Sequence, residues 1–173
     1  MAVYTSINKS ELQNWLKNFS VGDLKSFKGI SSGVTNTNYF VETDTTKFIL
    51  TIFEQNKMEE LPFYFDLMIF LASKKFPCPL PVINKNNTYL TLLKGKPAVL
   101  VSFLMGAEKE KINENDCYLV GEALANLHTL AKDFPGKFVP SCSIIVSLSF
   151  IKDFPYLYQC QYFSPGIIKC FVI

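Results

Sequence analysis

The sequence predicts an α+β fold in which a five-stranded antiparallel sheet carries one long helix and is followed by the start of a helical region. Three observations predict it. Short runs rich in β-branched and aromatic residues are joined by hairpin-length links. An apolar run of helical length separates the third strand from the fourth. A second helical pattern then begins near Asn113 and stops at "FPGK".

The first element is a short helix from about Lys9 to Phe19. Asn8 and Glu11 form a capping pair three residues apart. Apolar residues follow at helical spacing, namely Leu12, Trp15, Leu16 and Phe19. The helix is expected to end near Gly22, because glycine commonly follows the last helical turn.

Three strands come next, "LKSFKGI", "TNYFVET" and "KFILTIFE". The link "DTT" between the second and third has hairpin length. A polar stretch around Gly33 joins the first and second. The sequence therefore predicts an antiparallel meander with a polar turn at one end.

The long helix is predicted from about Met58 to Lys75. Its apolar residues are dense enough to be buried on most sides, and Pro62 suits the first turn. The run "PCPLP" ends it. "TYLTLL" and "PAVLVSFL" follow, joined by a "KGK" turn, and form a second hairpin.

The next helix is expected from about Asn113 to Lys132, with Cys117, Val120, Leu124, Leu127 and Ala131 on one face. Three regions result. Residues 1–104 form a lobe that contains the sheet, residues 105–140 form a link and the first part of a helical lobe, and residues 141–173 form a divergent apolar tail.

Composition excludes several classes of protein. The net charge is +2, all 17 basic residues are lysine, and no dense basic run favours nucleic acid. Five cysteines without CxxC spacing and one histidine predict no metal site and indicate reduced thiols. The longest apolar run is far shorter than the about 20 residues of a membrane helix. We therefore expect a cytoplasmic protein without a membrane partner.

The order of elements matches the small lobe of a protein-kinase-like fold, where the first turn lies over nucleotide phosphates. Gly33 would let the backbone approach closely, and the hydroxyls of Ser31, Ser32 and Thr35 could donate to phosphate oxygens. A plain hairpin turn explains the same residue types.

Five further stretches of the sequence are informative, "FKGISSGVTNTNYFVET", "KFILTIFE", "EELPFYFDLM", "GKPAVLVSFLMG" and "VGEALANLHTLA". Together they resemble homoserine kinases of the aminoglycoside phosphotransferase and choline kinase superfamily. The resemblance covers roughly residues 1–135 and implies transfer of the γ-phosphoryl group of ATP to the hydroxyl of homoserine, a step of threonine biosynthesis. It implies a phosphate-covering loop made of Ser31, Ser32, Gly33, Val34, Thr35, Asn36, Thr37 and Asn38. The adenine hinge would be Val101, Ser102, Phe103 and Leu104.

The resemblance also implies roles for two further positions. Thr51 stands where most superfamily members have a phosphate-pairing lysine or arginine on strand three, so any ATP binding is expected to be weak. Glu60 would be the counterpart of the helix glutamate that pairs with that lysine. An exposed carboxylate in a first helical turn explains Glu60 equally well.

The groups that would perform the chemistry are not found in the sequence. Phosphoryl transfer of this type uses an aspartate for the hydroxyl proton and an asparagine plus a second aspartate for Mg²⁺. After His128 there is no histidine or asparagine, and Asp133 and Asp153 are the only carboxylates. We therefore assign no catalytic residue and no Mg²⁺ ligand, His128 being expected to have a supporting role.

The composition of residues 142–173, with three of the five cysteines, suggests a frameshift or truncation after about Pro140. An N-terminal fragment of a homoserine kinase, inactive by itself, is one interpretation. A non-catalytic nucleotide- or partner-binding remnant, with self-association through the apolar tail, is another. A related kinase for choline, an aminoglycoside or methylthioribose is a third.

Overall fold

A computed structural model of the chain describes residues 4–31, 35–106 and 111–136, together with the strand residues 162–163 and 167–168. The described residues form three α-helices, α1 (Lys9–Leu16), α2 (Pro62–Ser73) and α3 (Glu114–Ala131). The strands are β1 (Leu24–Gly29), β2 (Thr37–Thr43), β3 (Lys47–Ile52), β4 (Leu90–Leu93), β5 (Lys96–Ser102), β6 (Tyr162–Phe163) and β7 (Ile167–Ile168).

The first five strands form one antiparallel sheet in the order β1-β2-β3-β5-β4. This confirms the predicted sheet and both predicted hairpins. In the second hairpin Lys94 and Gly95 both have positive φ, as in the type I′ turns whose twist matches that of paired strands. The chain leaves the sheet after β3 and returns so that β5 lies beside β3, which puts β4 at the edge.

One face of the sheet forms the hydrophobic core with α1. The alternation of side chains along β2 and β3 sends every second residue to this face. The buried cluster consists of Ile7, Leu12, Trp15, Leu16, Phe19, Val21, Leu24, Tyr39, Val41, Phe48, Leu50, Ile52, Leu93, Ala98 and Leu100. Asn38, Phe40, Ile49 and Thr51 therefore lie on the opposite face.

The predicted capping pair of α1 and the predicted start of a helix near Asn113 are confirmed. Asn8 and Glu11 form a reciprocal capping box at α1, and Asn113 forms one with Asp116 at α3. The helix α1 is shorter than predicted. After Leu16 the amides of Asn18 and Phe19 bond to carbonyls three residues back, because the last turn tightens.

The start of the long helix differs from the prediction. Residues Met58–Glu60 form a separate 3-10 turn, and α2 begins at Pro62. Proline has no N–H and cannot bond to the carbonyl of Met58, so it begins a helix rather than continuing one. The predicted burial on most sides is also wrong. Buried residues form one stripe, Leu61, Phe65, Met68 and Leu71, whereas Ile69 is 38% exposed.

The end of α2 is a Schellman motif. The amide of Phe76 donates to the carbonyl of Leu71, and that of Lys75 donates to Ala72. Lys75 occupies the left-handed position with φ of 64°. An L-residue with a side chain is strained there.

Replacing Lys75 by glycine is expected to stabilise the end of α2 by about 1 kcal/mol, because glycine adopts positive φ without the steric cost. Hydrogen exchange at the amides of Lys75 and Phe76 should slow correspondingly. Lys74→Gly, one residue earlier, is the control and should accelerate exchange. Faster exchange in Lys75→Gly would contradict the prediction.

The described chain divides into two units. One comprises residues 1–65 and 79–103, and the other comprises residues 66–78 and 104–173. Within the second, β6 and β7 pair antiparallel; the rest of the predicted tail lies outside the described residues. None of the described helices is long and apolar enough to cross a membrane.

Candidate functional site

The polar turn lies between β1 and β2, as predicted. The amide of Ile30 donates to the carbonyl of Asn38 over 2.9 Å and closes the neck of the turn. Ser31 and Thr35 are described at its two sides, whereas Ser32, Gly33 and Val34 lie outside the described residues. The assignment of this turn to phosphate therefore stays a prediction.

The stem of the turn, residues 36–38, is buried and held by hydrogen bonds within the protein. Asn36, Thr37 and Asn38 are each at most 3% exposed. The Asn36 side chain accepts from the amide of Glu54 (3.3 Å), and the Thr37 hydroxyl donates to the Glu54 carboxylate (2.6 Å). Three of the eight predicted loop residues thus anchor the turn, and their side-chain oxygens are already bonded.

Thr51 lies on the sheet face opposite α1 and is 2% exposed. Its hydroxyl donates to the side-chain oxygen of Asn38, its partner across β2 and β3, over 2.8 Å. The strand-three position therefore supplies no charge, and its hydroxyl holds the stem of the turn.

Glu54 organises a polar cluster that sequence reasoning did not identify. Its carboxylate pairs with Lys96, whose ammonium also donates to the Thr5 hydroxyl over 2.9 Å. The amide of Thr5 donates to Thr37 in turn. Burial raises the pKa of the Glu54 carboxyl, but hydrogen bonds from Lys96, Thr37 and Thr5 outweigh it and leave this pKa below its ordinary value.

No local signal in the sequence marks this cluster. Thr5, Thr37, Glu54 and Lys96 come from four separate segments, and only the sheet register brings them together. The result is that the N-terminal segment is tied to the base of the polar turn.

Glu54→Gln is expected to lower the free energy of unfolding by about 2 kcal/mol at neutral pH, because the Glu54 side chain is only 9% exposed and its charge-assisted hydrogen bonds are lost. A carboxyl whose folded pKa is depressed stabilises the fold above its unfolded pKa, 4.5, and loses that effect as pH falls through the folded value. The free energy of unfolding of the variant should therefore depend less on pH below 4.5 than that of the wild type. Urea unfolding followed by the fluorescence of Trp15, the single tryptophan, measures both effects.

The matched control is Glu11→Gln. Glu11 forms an ion pair of 2.8 Å with Lys94, which is on the same hairpin as Lys96. Both side chains of this pair are more than a third exposed. Water screens such a pair, so a much smaller loss is expected. Equal losses in the two variants would show that burial of the Glu54 pair has no special effect.

The sheet face opposite α1 carries a row of paired residues, Lys28, Phe40, Ile49 and Val101. The ring of Phe40 packs edge-on against Phe103, with centroids 5.4 Å apart. Where β1 meets the polar turn, a cavity of about 300 Å³ is lined by Lys28, Gly29, Ile30, Ser31 and Phe40. Its lining combines an apolar ring with hydroxyl and ammonium donors.

The predicted hinge begins at the end of β5. Val101 pairs with Ile49, the amide of Ser102 donates to Leu80, and that of Phe103 donates to Lys47. These contacts hold the strand end on both sides. Leu104 belongs to the second unit, and the pairing of the hinge with adenine stays a prediction.

The remaining candidates are placed as follows. Glu60 is exposed and its carboxylate accepts from the amide of Lys57, which caps the 3-10 turn. His128 is exposed in the last turn of α3, and Asp133 follows that helix in a turn. Asp153 lies outside the described residues. Among the described residues, no three His, Cys, Asp or Glu side chains converge on a possible metal position.

Cys78 does not form a nucleophilic site with a lowered pKa. Cys78 is buried, and its thiol donates to the carbonyl of Met68 over 3.3 Å. Burial raises the pKa of this thiol to about 11. It behaves as a small apolar side chain.

Comparison with known proteins identifies relatives by sequence. The chain is 44% identical to the homoserine kinase of Methylobacillus glycogenes over 134 residues. The aligned residues make up 78% of this chain and 42% of the relative. The homoserine kinase of Paraburkholderia xenovorans is 40% identical over 135 residues. The chain thus spans about two fifths of the length of the curated relatives it matches.

A solved structure shares the fold of this chain, and a family model matches its sequence. The microcompartment-associated aminopropanol kinase superimposes with a TM-score of 0.63 at 19% identity, over 89% of this chain and 50% of that one, which shows a shared fold. The model of the phosphotransferase enzyme family matches residues 26–141, which contain the polar turn, α2, α3 and the five-stranded sheet except for the first two residues of β1. This chain belongs to the phosphotransferase enzyme family.

Proposed function

We propose that the chain forms the nucleotide-binding part of a homoserine kinase, which transfers the γ-phosphoryl group of ATP to the hydroxyl of homoserine. The observation that carries this proposal is the 44% identity to a homoserine kinase over 134 residues. Within the superfamily the runs at Gly33–Val41 and Glu60–Phe63 favour homoserine over choline, an aminoglycoside or methylthioribose.

ATP would supply the phosphoryl group, and the chain would position it. The polar turn at Ser31–Asn38 would cover the phosphates with hydroxyl and backbone donors of residues 31–35, and the buried residues 36–38 would anchor it. The hinge at Val101–Leu104 would hold the adenine. We expect the affinity to be weak, because the hydroxyl of Thr51 is bonded to Asn38 and no ligand for Mg²⁺ is assigned.

The double variant Ser32→Ala with Gly33→Val tests the turn. A Cβ at residue 33 would hinder the close approach of the backbone to phosphate, so ATP affinity should fall by about tenfold or more. The control is Ser10→Ala with Gly121→Val, whose sites are exposed and leave space for the added side chain. Equal ATP affinity in the two variants would exclude the turn as the phosphate site.

A second candidate is a nucleotide- or partner-binding protein without phosphotransfer. The observation that favours it is the lack of histidine and asparagine in residues 129–173. ATP binding without product from homoserine would favour this candidate. Sedimentation would test the predicted self-association through the tail. Self-association that depends on concentration, and that is lost when residues 141–173 are removed, would support it.

A further inference from the structure

Lys28 lies on the candidate nucleotide face of the sheet. It pairs directly with Phe40, and Asn38, two residues along β2 toward the turn, pairs with Thr51. Side chains of directly paired residues lie on the same face of a sheet. Lys28 and Thr51 therefore share one face, with Lys28 one residue before Gly29 at the entrance to the polar turn.

The lysine also lines the cavity of about 300 Å³ beside Ser31. Its side chain is exposed. Two other lysines of the first unit have contacts of their own. Lys96 pairs with Glu54, and the ammonium of Lys47, a residue at the end of β3 away from the turn, lies 6.0 Å from the centroid of the Phe40 ring.

We propose that Lys28 supplies the positive charge that meets the phosphates of the nucleotide, in place of a cation on strand three. This inference rests on the proposed nucleotide binding and assigns a residue that the sequence resemblance does not. These 173 residues contain no arginine, so among their own side chains lysine is the permanently charged group available to the phosphates. An ammonium on a flexible four-carbon stem can follow a phosphate without a fixed geometry.

The test compares ATP with adenosine, which has the same base and sugar but no charge. Lys28→Met should weaken ATP binding about tenfold, because a charge-assisted hydrogen bond is lost. Adenosine binding should be unchanged, and Lys28→Arg should retain ATP affinity. Lys25→Met removes the same charge from the same exposed stretch of strand, outside the cavity, and should change ATP binding by no more than about twofold.

Equal weakening by Lys28→Met and Lys25→Met would overturn the assignment, as would an equal loss of adenosine and ATP. Wild-type chain that binds neither ligand would instead contradict the proposed function. In that case the role of Lys28 is tested with inorganic tripolyphosphate. The rate at which an amine-acylating reagent modifies each lysine is compared with and without this ligand. Protection of Lys28 but not of Lys25 supports the inference, and equal protection overturns it.

Discussion

Purified chain of 173 residues is expected to form no detectable O-phosphohomoserine from ATP and homoserine. The hydroxyl of homoserine is a poor nucleophile, and positioning with charge stabilisation supplies most of the rate in phosphoryl transfer. The sequence after His128 offers no asparagine and no second histidine. Groups that act as a unit are lost together, so the rate should fall by several orders of magnitude.

Asp133 is the one carboxylate after His128 that lies among the described residues. Asp133 is exposed in the turn directly after α3, where its amide bonds back to Leu130. A chimera that joins residues 1–135 to the remaining part of the Methylobacillus glycogenes homoserine kinase is the positive control, and it should form product. Product from the 173-residue chain that persists through repurification and disappears in Gly33→Val would contradict the prediction.

Gly22→Ala should lower the free energy of unfolding of the first unit by about 3 kcal/mol, combining backbone strain with overpacking. Gly22 has φ of +81°, a conformation that alanine rarely adopts. An added Cβ would also collide with the Asp44 carboxylate and lie 2.9 Å from Thr45. Both neighbours are fixed, because Asp44 accepts from the amide of Asp23 and the Thr45 hydroxyl donates to Val21.

Gly95→Ala is the matched control for this experiment. Gly95 has a similar φ of +76°, but nothing lies within 4 Å of the added carbon. It should cost about 1 kcal/mol, from backbone strain without the collision. Urea unfolding followed by Trp15 fluorescence reports on both, since Trp15 lies in the core between α1 and the sheet. Equal losses of free energy of unfolding in the two variants would mean that the loop beside Asp44 shifts to accommodate the added carbon.

Much of the fold follows from local sequence. The capping pair at Asn8 and Glu11 and the hairpin-length links predict helix starts and strand neighbours, because caps and turns are determined by a few adjacent residues. The homology to kinases was likewise readable from contiguous runs. Proline shifted the start of α2, since the loss of a single N–H interrupts a helix that periodicity would extend.

The use of each polar side chain was decided by the tertiary structure. The sequence predicted that Thr51 removes a charge from the site, and the sheet register then gave its hydroxyl to Asn38. Glu54 and Lys96 are 42 residues apart, and nothing in their local sequence predicts the ion pair. Lys28 is one of 17 lysines in the sequence, and only its pairing with Phe40 and the adjoining cavity distinguish it. Hydrogen-bond partners and cavities depend on distances between segments, which periodicity along one segment cannot specify.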